Sequence, residues 1–331
     1  MRAIAIVGPT ASGKSDLALA LAHRLGGEIL SCDSMQVYRR LDIGTAKPSF
    51  GQRQGIAHHM IDVVDPGVSF SAADYGQMAR EALSEILSRG RVPIVCGGTG
   101  LYLEALRRER HAATPGADEA FRARLLAEAE EEGGAERLYE RLRGLDPEAA
   151  EKTHPNNVRR VIRALELAAL TGRTKSDLDA ESRGGEDLVD LLVFCLCYED
   201  RAILTDRINR RVDRMVECGL LEEVAALWRD GFLAPGQTAE QAIGYRQLIP
   251  YFEGKITLDG ALDEIKTATR RYAKRQMTWF RRTDGVRFLT VDGEAGVSTS
   301  EALADRILPE ITAWWEQNNQ GSPDEQRKDT D

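Results

Sequence analysis

The feature that most constrains the fold is a glycine-containing segment that joins an apolar run to a helical stretch. Residues 3–7 read AIAIV, a continuous apolar run of strand length, and residues 14–25 have helical character and stop at Gly26 and Gly27. The joining segment is Gly8-Pro9-Thr10-Ala11-Ser12-Gly13-Lys14-Ser15. It matches G-x-x-x-x-G-K-[ST] in the strand-to-helix context that this pattern requires. The match predicts a phosphate-binding loop.

The parts of this loop suit a diphosphate or triphosphate. Glycines let backbone N–H groups turn inward around a phosphate, and a helix N-terminus adds positive potential. We expect Lys14 to reach the terminal phosphate oxygens and the Ser15 hydroxyl to ligate Mg²⁺, the expected cofactor. All eight residues are therefore predicted to bind a diphosphate. An ordinary glycine-rich turn is the alternative, and the loop alone does not name a substrate.

Further apolar runs of strand length occupy residues 28–32, 92–96, 188–197 and 286–291, with helical periodicity between them. Continuous apolar strands that alternate with helices are typical of a parallel sheet covered on both faces. The predicted fold class is therefore α/β, a P-loop NTPase-like doubly wound parallel sheet. Ligands of such sheets bind beyond the carboxyl ends of the strands. Three of these ends carry unusual residues, at 8–15, at Asp33-Ser34 and at 97–100.

The character of the sequence changes between residues 111 and 185, where Glu, Arg and Ala dominate. We interpret this stretch as a helical insertion domain within a core formed by residues 1–110 and 186–315. Val158, Val161, Ile162, Leu165 and Ala169 form an apolar stripe, so Arg159, Arg163 and Glu166 are expected to face the other way. Residues 316–331 are polar and are expected to be a disordered tail.

Charge is distributed unevenly. The net charge of −9 over 331 residues argues weakly against a nucleic-acid partner. Residues 270–287, however, contain seven Lys or Arg residues and one acidic residue, Asp284, with Tyr272, Trp279 and Phe280 among them. Cations interleaved with aromatic rings suit RNA binding, although core packing is the alternative for the rings. No apolar run approaches ~18 residues and no signal peptide is recognisable, so a cytoplasmic protein without a membrane segment is expected.

A series of motifs then follows in order along the chain. They are D-S-M-Q-V-Y-R from Asp33, G-T-A-K-P from Gly44, H-H-M-I-D from His58, G-G-T-G-L-Y from Gly97, H-P-N-N from His154, R-A-L-E from Arg163, A-I-G-Y-R from Ala242 and Y-A-K-R-Q-M-T-W-F-R from Tyr272. Together with the phosphate loop, this series resembles the tRNA dimethylallyltransferase family over about residues 3–290. The zinc-finger extension of eukaryotic relatives is not present, so the resemblance is to the bacterial type.

The resemblance implies dimethylallyl diphosphate as donor and the N6 amine of the adenosine 3′ of the tRNA anticodon as acceptor, in an enzyme expected to be a monomer. Asp33 is the predicted general base, with an N-cap or Mg²⁺-shell role as the alternative. Arg211 is the first candidate to stabilise the leaving diphosphate, and Arg207 is the second. A solvated arginine face is the alternative for both. The predicted tRNA-binding residues are Asp33, Ser34, Met35, Gln36, Thr99, Arg122, Arg159, Arg160, Arg163, Gly244, Tyr245, Arg246, Lys274, Arg275, Gln276, Trp279 and Arg281.

Two other functions remain open from the residues. A P-loop kinase of small molecules would use ATP as donor, and the basic aromatic segment argues against it. A non-catalytic RNA-binding protein could retain a phosphate site, but Lys14, Ser15 and Asp33 together argue against that alternative.

Overall fold

The computed structural model of the protein describes residues 1–108, 118–184, 187–234, 237–293 and 296–317. Contacts divide the chain into two compact units. The first unit combines Met1–Arg107 with Val189–Asp331, and the second unit is Arg108–Leu188. The first unit contains the sheet. In the described part of the second unit, the regular secondary structure consists of helices.

The sheet formed by the described residues has six strands in the order β3-β2-β4-β1-β5-β6, and every neighbouring pair is parallel. The strands are β1 (Arg2–Val7), β2 (Gly27–Cys32), β3 (His58–His59), β4 (Val92–Gly97), β5 (Asp190–Cys197) and β6 (Val286–Thr290). The register sets Val7 and Cys32 level with Gly97. The carboxyl ends of β1, β2 and β4 therefore meet at one edge of the sheet.

The sheet is buried on both faces. Ala3, Ala5 and Val7 of β1 enter one hydrophobic core, while Ile4 and Ile6 enter another. Burial on both sides is why the strand sequences are continuously apolar instead of alternating. The prediction of a parallel sheet covered on both faces is confirmed. The edge strand β3 was not predicted, because two histidines are too short to leave a hydrophobic pattern.

Helices surround the sheet and form the second unit. They are α1 (Lys14–Leu25), α2 (Ala72–Ser88), α3 (Gly100–Arg107), α4 (Glu119–Glu130), α5 (Gly134–Leu145), α6 (Pro147–Glu151), α7 (Val158–Thr171), α8 (Lys175–Gly184), α9 (Arg201–Glu217), α10 (Leu220–Arg229), α11 (Tyr245–Phe252), α12 (Leu258–Phe280) and α13 (Ser300–Gln317). The short strands β7 (Asp292–Gly293) and β8 (Gly296–Val297) pair antiparallel. Helix α1 has the predicted bounds, and Gly26 caps it in a left-handed conformation at φ 61°.

The core of the second unit lies between α4, α5, α6 and α7, and it includes Leu125, Leu138 and Val161. The expectation that Glu166 faces away from this core is wrong, because its side chain is fully buried. Glu166 accepts hydrogen bonds from the Asp118 amide at 2.8 Å and from Arg122 Nε at 2.9 Å. The partly buried guanidinium of Arg163 completes the cluster, with Nη1 at 2.5 Å from Glu166 Oε2. Charged partners allow this carboxylate to lie in a helical core.

The C-terminal region differs in part from expectation. Helix α13 continues through Glu316 to Gln317, so the predicted disorder is wrong for these two residues. The rest of the predicted tail, residues 318–331, lies outside the described residues. In the described parts of the chain, no helix has the length and apolar character needed to cross a membrane.

Candidate active site

The phosphate loop connects β1 to α1 at the edge where the strand ends meet. Gly8 and Gly13 have φ values of 146° and 94°, a region that side chains strongly disfavour. A Cβ atom at Gly8 would also lie 3.0 Å from the Leu196 carbonyl of β5. The two glycines therefore let the backbone turn sharply against the sheet. The N-terminus of α1 then points its amides toward the space above the strand ends.

Lys14 and Ser15 begin α1, and both line a cavity of about 280 Å³. Burial lowers the pKa of Lys14, and the positive charge of Arg211 lowers it further, while the carboxylate of Asp33 acts in the opposite direction. The amine is therefore poorly solvated and lies within electrostatic reach of both side chains. An anionic ligand in this cavity would stabilise its charged form.

Asp33 follows the last residue of β2 and lines the same cavity. Its Oδ1 accepts a hydrogen bond from the Met35 amide at 2.9 Å, which closes a tight turn. The bond fixes the carboxyl group without using its second oxygen. Ser34, Met35 and Gln36 also line the cavity.

The turn after β4 packs tightly beside Asp33. A Cβ atom at Gly97 would lie 2.0 Å from the Cys32 carbonyl, so only glycine fits where β2 and β4 end together. Thr99 is held against the segment after β2, because its Oγ1 accepts the Ser34 amide at 3.0 Å. The structure thus brings Thr99 to the site through Ser34.

Gln276 of α12 joins this turn to the phosphate loop. Its Oε1 accepts from the Thr10 amide at 2.9 Å, and its Nε2 donates to the Gly98 carbonyl at 2.9 Å. A Cβ atom at Gly98 would lie 2.0 Å from Gln276 Nε2, which explains the second glycine of the turn. Both ends of the Gln276 side-chain amide are thus used within the protein, and the residue also lines the cavity. It is a buried cross-link within the site.

The two arginines predicted for the diphosphate lie in different environments. Arg211 lines the cavity, and its Nη2 donates to the Thr45 carbonyl at 3.4 Å. Arg207, one helical turn earlier on α9, donates from Nε to the Ala11 carbonyl at 2.9 Å. Arg211 therefore faces the cavity, whereas Arg207 holds the phosphate loop through the Ala11 carbonyl.

The motif around Tyr245 has a different role from the predicted one. Tyr245 is fully buried and donates its hydroxyl to Glu223 at 2.6 Å, so packing against Glu223 is the contact that the structure shows for its side chain. Burial, and then the negative charge of Glu223, raise the pKa of Tyr245. Gly244 caps α11 with φ 100° and lines the cavity, while Arg246 is exposed.

The basic segment, which we define as Arg271, Lys274, Arg275, Arg281 and Arg282, is exposed along the C-terminal part of α12 and the turn after it. Arg275 also lines the cavity and lies over the ring of Tyr272, with 5.6 Å from Cζ to the ring centroid. Trp279 is 41% exposed and packs one edge against Gly100. The basic segment therefore continues into the wall of the cavity through Arg275.

The predicted RNA-contacting arginines of the second unit separate into two groups. Arg159 and Arg160 are exposed on α7. Arg122 and Arg163 are only about one-third exposed and form ion pairs with Glu166. The structure thus shows Arg122 and Arg163 in contact with the Glu166 carboxylate.

The chain is similar to a known family and to its members over most of its length. The model of the IPP transferase family matches residues 36–283. The chain belongs to the IPP transferase family. It is 44% identical over 291 residues to the tRNA dimethylallyltransferase of Thermoanaerobacter sp. (strain X514), covering 87% of this chain and 91% of that protein. It is 46% identical over 278 residues to the tRNA dimethylallyltransferase of Geobacillus thermodenitrificans, covering 84% and 87%.

Solved structures of IPP transferases agree with this assignment. The crystal structure of the full-length tRNA isopentenylpyrophosphate transferase from Bacillus halodurans has a TM-score of 0.69 at 40% identity, covering 96% of this chain and 99% of that one. A eukaryotic dimethylallyltransferase captured acting on tRNA has a TM-score of 0.77 at 30% identity, covering 96% and 80%. The predicted P-loop NTPase-like fold is confirmed.

Tyr272 and Glu223 contribute to this region but were not among the site residues predicted from the sequence. Tyr272 lines the cavity close to Asp33, whose negative charge raises the tyrosine pKa after the larger effect of burial. Glu223 holds Tyr245 although it comes from α10, which lies outside every motif. Tyr272 had a signal in the basic aromatic stretch, but Glu223 had none.

Proposed function

We propose that this protein transfers a dimethylallyl group from dimethylallyl diphosphate to the N6 amine of the adenosine 3′ of the anticodon in tRNA, releasing diphosphate. The observation that carries the proposal is that one cavity combines the phosphate loop, Asp33 and Arg275 of the basic segment. A diphosphate site, a carboxylate and an RNA-binding surface are the three parts that this reaction needs. The tRNA dimethylallyltransferase relatives support it.

In this mechanism, the N6 nitrogen attacks the allylic carbon that carries the diphosphate. The new C–N bond forms, the C–O bond breaks, and the electron pair of that bond leaves with the diphosphate. Asp33 accepts the proton that N6 loses, which is the usual task of a positioned carboxylate base. The amine is a weak nucleophile because its lone pair is delocalised into the adenine ring. Removal of the N6 proton by Asp33 therefore assists the attack on the allylic carbon.

Charge that develops on the leaving diphosphate needs fixed positive partners. Lys14 and Arg211 line the cavity beside the start of α1, and with the backbone amides there they are the groups proposed to supply this charge. Arg207 positions the loop that carries those amides by holding the Ala11 carbonyl. These groups bind the diphosphate and orient the allylic carbon toward Asp33.

Mg²⁺ is the proposed cofactor. In the described parts of the chain no group of three or more His, Cys, Asp or Glu side chains forms a metal site. This fits Mg²⁺, which keeps several waters and is commonly held by one or two protein oxygens together with substrate phosphates. The Ser15 hydroxyl faces the cavity and would hold the ion. When bound, Mg²⁺ neutralises charge on the diphosphate oxygens.

The acceptor is proposed to reach the cavity from tRNA bound along the basic segment. The exposed Arg159 and Arg160 of the second unit are proposed separately as tRNA contacts. Chemistry on a base requires the base to leave its stack, and single-stranded loops supply bases that can be splayed out. Met35 and Gln36 beside Asp33 offer an apolar and a polar wall for the adenine. The active form is proposed to be a monomer.

The deciding experiment offers the protein labelled dimethylallyl diphosphate and unmodified tRNA, in parallel with labelled ATP and the same tRNA. We expect prenyl label in the tRNA at the adenosine 3′ of the anticodon, and release of diphosphate. Transfer of phosphate from ATP to a small molecule, with no prenyl transfer, would instead support the kinase. Binding of tRNA without transfer from either donor would support the RNA-binding protein.

A further inference from the structure

Glu223 lies in the first turn of α10, and its carboxylate accepts four hydrogen bonds. Oε2 accepts from the amides of Asp42 at 3.0 Å and Ile43 at 2.8 Å. Oε1 accepts from the Gly44 amide at 3.1 Å and from the Tyr245 hydroxyl at 2.6 Å. Three consecutive backbone amides on one side chain fix the start of the segment 42–46, which we call the wall loop.

The aromatic ring of Tyr245 presses on the same loop. A Cβ atom at Gly44 would lie 2.5 Å from Tyr245 Cε2, so the wall loop lies in direct contact with the buried ring. Burial, and then the negative charge of Glu223, raise the pKa of Tyr245, so its hydroxyl remains a donor. Glu223, Tyr245 and Gly44 thus form one packed unit that leaves the loop little freedom.

The far end of the wall loop reaches the two groups that face the ligand space. The Thr45 carbonyl accepts from Arg211 Nη2 at 3.4 Å and from Gln36 Nε2 at 3.3 Å. The Ala46 carbonyl is 3.4 Å from the same Gln36 nitrogen. Gly44, Thr45 and Ala46 line the cavity, whereas Glu223 does not.

We propose that Glu223 is a positioning residue for prenyl transfer: by holding the wall loop, it sets the carbonyl groups that orient Arg211 toward the diphosphate and Gln36 toward the adenine. The inference rests on the proposed function, whose groups it orients. Glu223 acts only through the loop and touches no substrate. A displacement of about 1 Å in such a constellation can cost roughly 10²-fold in rate.

The test compares Glu223→Ala, Glu223→Gln and the wild-type protein, with Glu222→Gln as the matched control. Glu222 is the neighbouring, exposed acid in the same helical turn, so its substitution removes the same charge near the same helix end. Three quantities are measured for each protein. They are the single-turnover rate at saturating donor and tRNA, the affinity for inorganic pyrophosphate by calorimetry, and the melting temperature.

We expect Glu223→Ala to slow the single-turnover rate by about 10²-fold and to weaken pyrophosphate binding, at temperatures where the protein remains folded. Glu223→Gln keeps an acceptor oxygen and should fall between Ala and wild type, while Glu222→Gln should match wild type. If Glu223→Ala fails to fold, Glu223→Gln with Tyr245→Phe, which removes one of the four bonds, carries the same comparison.

Two results would overturn the proposal. One is a Glu223 variant with a lower melting temperature but unchanged rate and pyrophosphate affinity, which would show a purely structural role. The other is an equal loss in Glu222→Gln, which would show a general charge effect. Absence of prenyl transfer by the wild-type protein would instead contradict the proposed function, and the pyrophosphate comparison would still decide whether Glu223 shapes the cavity.

Discussion

Gln276 on α12 binds Thr10 of the phosphate loop, with the Thr10 amide donating to Gln276 Oε1 over 2.9 Å, although the two residues are 266 positions apart. The other end of the same amide group holds the Gly98 carbonyl. One side chain thus fixes the spacing between the loop proposed to bind diphosphate and the turn that supports Ser34.

Replacing Gln276 with Ala is expected to destabilise the protein and weaken pyrophosphate binding. The change leaves the partly buried Thr10 amide and the buried Gly98 carbonyl without their partner, at a cost of about 2 kcal/mol in the free energy of unfolding. Denaturant unfolding and calorimetry measure the two effects. Gln77→Ala, at an exposed glutamine of α2, is the control and should change neither. Unchanged pyrophosphate affinity in Gln276→Ala would mean that the link does not shape the phosphate loop.

Arg211→Ala is expected to lower the single-turnover rate by about 10²–10³-fold, the usual effect of removing a group aimed at developing charge. Pyrophosphate affinity should fall as well, because burial leaves this guanidinium poorly hydrated and available to an anion. Arg207→Ala should have a smaller effect, since Arg207 acts through the Ala11 carbonyl. Arg210→Ala, at an exposed arginine on the same helix, is the control. Equal rates for Arg211→Ala and Arg210→Ala would remove Arg211 from the diphosphate site.

The strands and the phosphate loop could be predicted because their signals are local. β1 and β4 are buried on both faces and appear as short apolar runs, β5 is a longer one, and β2 is apolar apart from Glu28 and Ser31. The loop pattern and the Gly26 stop define α1. The family resemblance then supplied the reaction, which physical reasoning from the residues alone left open.

Several side chains could not be placed from the sequence because distant partners determine their position. Glu166 falls on the polar side of the helical pattern of α7, but Arg122 of α4 covers it within the second unit. Tyr245 sits in a motif that resembles an exposed RNA contact, yet its burial depends on the missing side chain of Gly44 and on Glu223. Gln276 looks like one more polar residue of a basic helix, because nothing in the sequence pairs it with Thr10.

The double variant Lys274→Ala with Arg275→Ala is expected to weaken tRNA binding and to flatten its salt dependence. Each phosphate contact contributes close to one unit of the slope of log affinity against log salt, so the slope should fall by about 1 to 2. Binding measured between low and physiological salt gives this slope. The control replaces Arg24 and Lys255, two cations elsewhere in the first unit that form surface ion pairs. An unchanged slope in the Lys274 and Arg275 variant would show that the basic segment does not contact RNA.

The stability of the second unit is expected to depend on pH through Glu166. Burial alone would raise the pKa of Glu166, but hydrogen bonds from Arg163, Arg122 and the Asp118 amide outweigh it and hold the pKa below its ordinary value. The ionised form therefore stabilises the fold above the unfolded-state pKa of about 4.3, and this contribution is lost as pH falls through the folded-state value.

Glu166→Gln should accordingly lower the melting temperature at neutral pH, and the difference from wild type should shrink as the solution is acidified below about pH 4.3. Thermal melts across this range measure the effect. Glu119→Gln is the control, because Glu119 meets Arg122 at 3.5 Å but is 80% exposed. A difference between Glu166→Gln and wild type that stays constant down to low pH would rule out the ionised cluster as its cause.

The central claim is that Asp33 accepts the proton from the adenine amine, and single-turnover prenyl transfer by Asp33→Asn tests it most directly. The amide oxygen of Asn can still accept the Met35 amide, so the turn that Asp33 closes at 2.9 Å is retained. Rates are measured at saturating donor and tRNA, alongside a thermal melt and both binding affinities. We predict a loss of about 10²–10⁴-fold in rate with affinities and melting temperature nearly unchanged. An Asp33→Asn protein that binds both substrates, melts normally and transfers at close to the wild-type rate would contradict the claim.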